Sequence, residues 1–265
     1  MLPVFLDLKV VKFYTFGVFL LLAFFWGCYL LWKNFLLTAY KEEDIFDGMF
    51  LALTGGLFMS RLLYVVLHFN EFGFSILKFI LINGYPGLSL YGFLIGFFFT
   101  LFFYTSRKKM KTMEVFDYFI PPAFLALGFG KIGSFFSGTE LSGRLNHFLL
   151  TLFPLYEAVL FFLAAFFSYK ILFSIRREKY EKGFNLFFFG LYFSFVSLMF
   201  GVIRSGKNLL QQPEFNIFLS SIFVLTFSFY FIYYFRSLIF ERIANITRGV
   251  RRHGKKHSKT THQKT

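Results

Sequence analysis

Four ionisable residues, Arg61, Lys131, Glu157 and Arg204, sit inside or at the ends of long apolar runs. An ionisable group at such a position is costly and marks either a functional site or a structural pair. Around Lys131 the chain reads Gly130-Lys131-Ile132-Gly133-Ser134-Phe135-Phe136-Ser137-Gly138-Thr139-Glu140-Leu141-Ser142-Gly143-Arg144. Glycines at this density admit close helix contact or backbone approach to a ligand. The serines add hydrogen bonds, and Lys131, Glu140 and Arg144 add charge. A plain turn between helices needs one or two glycines, so the stretch is a candidate binding element. Clustered cations of this kind can satisfy an anionic group such as a phosphate. Tyr14, Tyr91 with Gly92, and Tyr156 complete the candidates. Each has a structural alternative when taken singly. Arg61 could pair with an acid such as Glu157, Lys131 and Arg204 could snorkel to an interface, and the tyrosines could belong to an aromatic belt. The one cysteine, Cys28, lies in an apolar run, which excludes a disulfide framework or a cysteine-based metal site.

The elements that must position these residues are legible from composition. The 265 residues are 57% hydrophobic, include 48 Phe and are 16% charged, where a soluble domain has about 25% charged residues. The formal charge is 28 − 14 = +14. Apolar runs with bases between them describe an integral membrane protein; disorder, a secreted disulfide scaffold and a cytosolic enzyme are excluded. Residues 236–265 hold nine Lys/Arg against the single acid Glu241. A basic segment directly after an apolar run points to anionic headgroups ahead of nucleic acid.

Apolar stretches occur near 13–31, 45–69, 88–104, 115–136, 152–173, 184–203 and 216–235, each about long enough to cross a ~30 Å hydrocarbon layer as a helix. They are continuous rather than alternating, so strands are not expected. The fold class expected is all-α: a polytopic membrane protein of about seven transmembrane helices over residues 1–240, with a disordered basic tail over 241–265. Lys/Arg after spans 3, 5 and 7, with Lys33, Lys41 and Lys170, put 20 of 28 bases on one side; Lys9, Lys12, Lys78, Lys131, Arg144, Arg204 and Lys207 lie on the other. The bias orients the chain with its N-terminus outside and its C-terminus cytoplasmic. Lys9 and Lys12 ahead of an apolar run mimic a signal peptide, but the run is long and lacks a small-x-small site, so an uncleaved first span is expected. The residues before Cys28 make a poor lipobox. No repeat and no inverted pair of broken helices is found.

With that orientation the candidates converge. Tyr14 opens span 1, Arg61 lies about sixteen residues or roughly 24 Å into span 2, and Tyr91-Gly92 open span 3. Lys131 is near the end of span 4, Tyr156 and Glu157 start span 5, and Arg204 ends span 6. All meet at the level of the outer leaflet.

These residues also carry a resemblance. GKIGSFFSGTELSG (130–143) is similar to the signature Gly-Arg-Ile-Gly-Asn-Phe-x-Asn-Gly-x-Glu-x-x-Gly of the prolipoprotein diacylglyceryl transferase family. GLSLYGFLIG (87–96) resembles the family's Gly-x-Ser-Phe-His-Gly-Gly-Leu-Ile-Gly, KFYTFG (12–17) its Arg-Trp-Tyr-Gly, SRLLYVVL (60–67) its Ala-Arg-Leu-Gly-Tyr, and LYEA (155–158) its His-Pro-x-x-Leu-Tyr-Glu. The five elements occur in family order over about 150 residues. There are departures. Lys131 replaces the signature arginine and loses the bidentate fork; Ser134 and Ser137 replace two asparagines; Tyr91 replaces a histidine and is a poor base unless perturbed. SLMFGVIR (197–204) resembles the family's Arg-Phe-x-x-Glu-x-x-Arg, with Arg204 matching the last arginine or, in another register, the first; the glutamate is missing in both.

The resemblance implies transfer of the sn-1,2-diacylglyceryl group from phosphatidylglycerol to the lipobox cysteine thiol of a prolipoprotein, with release of glycerol phosphate. It implies catalytic roles for Tyr91, Lys131 and Arg204. Substrate contacts would come from Tyr14, Arg61, Gly92, Ser134, Ser137, Glu140, Gly143, Arg144, Tyr156 and Glu157. Lys131 and Arg204 would stabilise the leaving phosphate; Tyr91 or His147, or cationic surroundings alone, would deprotonate the thiol; Glu140 and Glu157 would orient the cations. The partners implied are phosphatidylglycerol, the prolipoprotein signal peptide with its lipobox cysteine, and the bilayer, with no nucleic acid, cofactor or metal. The location implied is the bacterial cytoplasmic (inner) membrane, with the site facing the outer leaflet. The departures leave a second outcome open: an altered homologue that binds lipid without turnover. A transporter ranks last, because spans 3, 5 and 7 are almost free of polar residues in their inner halves.

Overall fold

A computed structural model describes residues 4–7, 12–36, 38–73, 76–81, 85, 87–138, 152–205 and 215–236. Seven long apolar helices are found among them, each able by length and composition to cross a membrane. They are α1 (Thr15–Phe35), α2 (Glu42–Leu67), α5 (Leu90–Arg107), α6 (Thr112–Ser137), α7 (Phe153–Arg176), α8 (Phe184–Ser205) and α9 (Phe215–Arg236). All seven expected stretches are helical, with ends displaced by a few residues. Two short helices, α3 (Phe69–Phe72) and α4 (Ile76–Ile80), lie between α2 and α5. The chain also contains a feature that continuous apolar runs do not announce. Strands β1 (Val4–Asp7) and β2 (Lys12–Tyr14) pair antiparallel ahead of α1, with an irregularity between Val4 and Leu6. The hairpin is outside the seven spans and leaves the all-α class intact.

Helix ends follow local chemistry. Glu42, Glu43 and Asp44 occupy the first turn of α2, where the helix dipole favours acids. Ser89 caps α5 by accepting from the Gly92 N–H. Gly138 ends α6 in the left-handed conformation, at φ 72°.

α6 is the hub, packing against α1, α7, α8 and α5, while α2 and α5 form an intimate pair of their own. That pair depends on absent side chains. A Cβ on Gly92 would lie 2.8 Å from the Met59 carbonyl oxygen, and one on Gly96 2.7 Å from that of Gly55. Small residues four apart let the two backbones approach, the arrangement that favours association in hydrocarbon. Exposed Leu20, Leu21, Phe25, Phe58, Phe166 and Phe229 lie on the outside of the bundle, as befits helices whose solvent is lipid.

The bundle end that carries the Arg107–Lys111 and Arg176–Lys182 segments is tied by polar contacts. The buried Asp117 carboxylate accepts from the backbone N–H groups of Gly183 (2.5 Å), Asn185 (3.0 Å) and Leu186 (3.2 Å), so α6 caps the start of α8. Asn185 donates to the Asp117 carbonyl and accepts from Ser168 of α7. Arg176 donates to the Asn34 carbonyl (2.5 Å) and to the Tyr118 hydroxyl, while Lys108 pairs with Asp44 and Lys182 with Glu114. The opposite end holds Lys131, Glu157 and Arg204.

Candidate functional site

Lys131 lies six residues before the end of α6, Glu157 is the fifth residue of α7, and Arg204 is one residue from the end of α8. The antiparallel run of these helices brings the three side chains to one level, within roughly 10 Å of the bundle end at 1.5 Å per residue. They make one charge cluster. The Glu157 carboxylate is buried, and each of its oxygens is taken by a different cation: Lys131 Nζ on one, Arg204 Nη2 on the other at 2.5 Å. A carboxylate shared this way neutralises part of the repulsion between two cations held in low dielectric. Among the described residues the cluster sums to +1. Arg204 is partly open, with a third of its side chain exposed, while Glu157 is closed.

Tyr91, the second residue of α5, shares this end but is enclosed. Its ring packs on Phe193 of α8 (5.6 Å between centroids) and Phe223 of α9 (6.2 Å). Its hydroxyl pairs with Ser220 of α9, which also donates to the Asn216 carbonyl at 2.6 Å. Ser197 of α8 and Lys131 lie near the Tyr91 hydroxyl. Ser197 and Ser220 were not among the residues singled out from sequence. A serine in an apolar helix ordinarily bonds its own preceding carbonyl, so type and position give no signal. In the register that aligns Arg204 with the last arginine of the motif, Ser197 occupies the first arginine's place and Gly201 the glutamate's.

The other candidates are placed as follows. Ser134 and Ser137 follow Lys131 on α6, and their hydroxyls donate to the carbonyls of Lys131 and Ser134. Tyr14 precedes α1 and Tyr156 is in the first turns of α7; both rings are largely exposed. Gly92 lies at the α2–α5 crossing, where its missing Cβ serves helix contact. Glu140, Gly143 and Arg144, and His147 with them, lie outside the described residues.

Arg61 departs from the structural alternative of a pair with Glu157. It is buried and does not meet Glu157; its Nε, Nη1 and Nη2 donate to the carbonyls of Phe79 (3.0 Å), Gly87 (2.8 Å) and Lys78 (2.8 Å). The Phe72 ring stacks at 5.1 Å from its guanidinium carbon. The partners are backbone atoms, which no residue type announces. Among the described residues no group of three His, Cys, Asp or Glu side chains is arranged to hold a metal.

Fold and site together define a polytopic α-helical membrane protein with a cation pair held on a buried carboxylate at one end of its bundle. The family profile for prolipoprotein diacylglyceryl transferase matches residues 3–234, and the chain belongs to that family. A phosphatidylglycerol–prolipoprotein diacylglyceryl transferase of Clostridium tetani (strain Massachusetts / E88) is 27% identical over 234 residues, covering 81% of this chain and 92% of that protein. The enzyme of the same name from Wigglesworthia glossinidia brevipalpis is 27% identical over 131 residues, 49% of this chain and 47% of its own length. That of Enterococcus faecalis (strain ATCC 700802 / V583) is 34% identical over 96 residues, 36% of this chain and 34% of its own. The chain thus spans nearly all of the first relative and half or less of the other two.

Proposed function

We propose that this protein transfers the diacylglyceryl group of phosphatidylglycerol to a prolipoprotein cysteine thiol. The single observation that carries the reading, beside family membership, is the pair Lys131 and Arg204, drawn from two helices onto the one carboxylate of Glu157. Phosphatidylglycerol presents a phosphodiester at the depth of this cluster. The thiolate sulfur attacks the glyceryl carbon that bears the phosphate; the S–C bond forms, the C–O bond breaks, and the electron pair leaves on glycerol phosphate. The thiol proton passes to a basic group or to the product phosphate. Charge grows on the leaving oxygen, and fixed cations aimed at growing charge lower the barrier.

Glu157 holds both cations in place rather than taking the proton. Tyr91, with Ser220 on its hydroxyl, belongs to the same end and is assigned the thiol side of the reaction. Ser134, Ser137, Tyr14 and Tyr156, with Glu140, Gly143 and Arg144, are assigned to contacts with the lipid and with the signal peptide around the lipobox. The site faces the outer leaflet of the bacterial cytoplasmic membrane, with the basic loops and tail inside, as the distribution of Lys and Arg supports. The purified protein, supplied with phosphatidylglycerol vesicles and a lipobox peptide, should give a thioether-linked diacylglyceryl peptide by mass spectrometry. A folded protein that binds phosphatidylglycerol and gives no product would favour a lipid-binding homologue instead.

A further inference from the structure

We infer that Arg61, together with Ser60, is a positioning residue for Tyr91 and makes no contact with the lipid anion. The inference rests on the function proposed above. The two residues are consecutive on α2 and grip the chain that enters α5. Arg61 gathers the carbonyls of Lys78, Phe79 and Gly87 on one guanidinium. Ser60 donates its hydroxyl to the Ser89 carbonyl at 2.8 Å, and its own carbonyl accepts from the Ser89 N–H at 3.2 Å. Ser89 in turn caps α5 through the Gly92 N–H. Gly92 lets the backbone of α5 rest on Met59 and Ser60.

Carbonyls at membrane depth need internal donors. The stretch 87–89 is neither helix nor strand, so side chains of α2 supply what secondary structure does not. A guanidinium suits this task because its planar fork reaches several acceptors at once, while an ammonium is a point charge. Arg61 is 3% exposed, three of its N–H groups go to carbonyls and its guanidinium faces the Phe72 ring. Tyr91 follows Ser89 by two residues, so the grip sets the height and rotation at which its ring enters the site.

The test compares Arg61→Lys, Arg61→Met and Ser60→Ala with the wild type in phosphatidylglycerol nanodiscs, by kinetics and by hydrogen exchange over Gly87–Phe93. A positioning role predicts that Arg61→Lys resembles Arg61→Met. Both should lower kcat tenfold or more with KM for phosphatidylglycerol within twofold of wild type, and both should speed exchange over Gly87–Phe93. Ser60→Ala should show the same pattern more weakly. If Arg61→Lys keeps kcat while Arg61→Met raises KM for phosphatidylglycerol, Arg61 binds the anion and the inference is overturned. Unchanged exchange in Arg61→Met overturns the grip itself, and faster exchange with unchanged kcat overturns its part in the reaction. A wild type without transferase activity removes the proposed function, and with it the role of Arg61 in it, while exchange still reads the grip.

Discussion

Glu157 carries the largest consequence of any single side chain. Its carboxylate is buried between Lys131 and Arg204, and removing it leaves two partly exposed cations uncompensated, at less than the ~3–5 kcal/mol of a fully buried pair. Glu157→Ala should therefore lower thermal stability in micelles as well as transfer rate. Glu157→Gln keeps the shape and loses the charge, so it should lower the rate with the smaller stability cost. Lys131→Ala and Arg204→Ala remove a cation from the growing charge and should each cost roughly 10²–10³ in kcat. Lys179→Ala, an exposed base at the other end of the bundle, should leave kcat unchanged, and equal losses at all three would remove the assignment. Lys131→Arg restores the fork and should retain activity. Charge inside an apolar run made Lys131, Glu157 and Arg204 visible in the sequence. That Glu157 orients cations was expected through the resemblance, but which cation meets which of its oxygens was not, because it depends on how α6, α7 and α8 are rotated about their axes. Arg61 was visible for the same reason, but its carbonyl partners were not, since no residue type announces them.

The elements differ in how they are held, and each invites a distinct variant. α8 starts on the Asp117 carboxylate, which satisfies three N–H groups that the helix cannot. Asp117→Ala strands buried donors at about 1–3 kcal/mol each and should cost more stability than Asp117→Asn, which keeps one acceptor; denaturation in mixed micelles followed by circular dichroism measures the difference. α2 and α5 touch through Gly92 and Gly96. Gly96→Leu should force them apart and lower the melting temperature, while the same change at Gly130, where an added Cβ meets open space, should alter it little. The spans were legible because a continuous apolar run of helix length has one solution in lipid. The β1–β2 hairpin, α3 and α4 were not, since elements of three to five residues are too short for a periodic signal. Asp117 escaped notice as well: a lone acid near a span end reads as interfacial until the partner helix is known.

For the molecule as a whole, the +14 charge separates into a topological majority and a chemical minority. The bases between spans 3 and 4 and between spans 5 and 6 share one end of the bundle, and Lys131 and Arg204 occupy the other. A cysteine placed at Lys109 should resist impermeant thiol reagents in intact cells, and one at Tyr85 should react; the reverse pattern would invert the orientation. The belt of exposed Phe and Leu needs lipid, so activity should be lost on stripping phosphatidylglycerol and return when it is added back. The most direct test of the central claim counts both products in one reconstituted reaction with a lipobox peptide. The account predicts one glycerol phosphate released per thioether-linked diacylglyceryl peptide, with both lost together in Lys131→Ala and Arg204→Ala. Folded wild-type protein that forms neither product, or variants that form both at the wild-type rate, would contradict it.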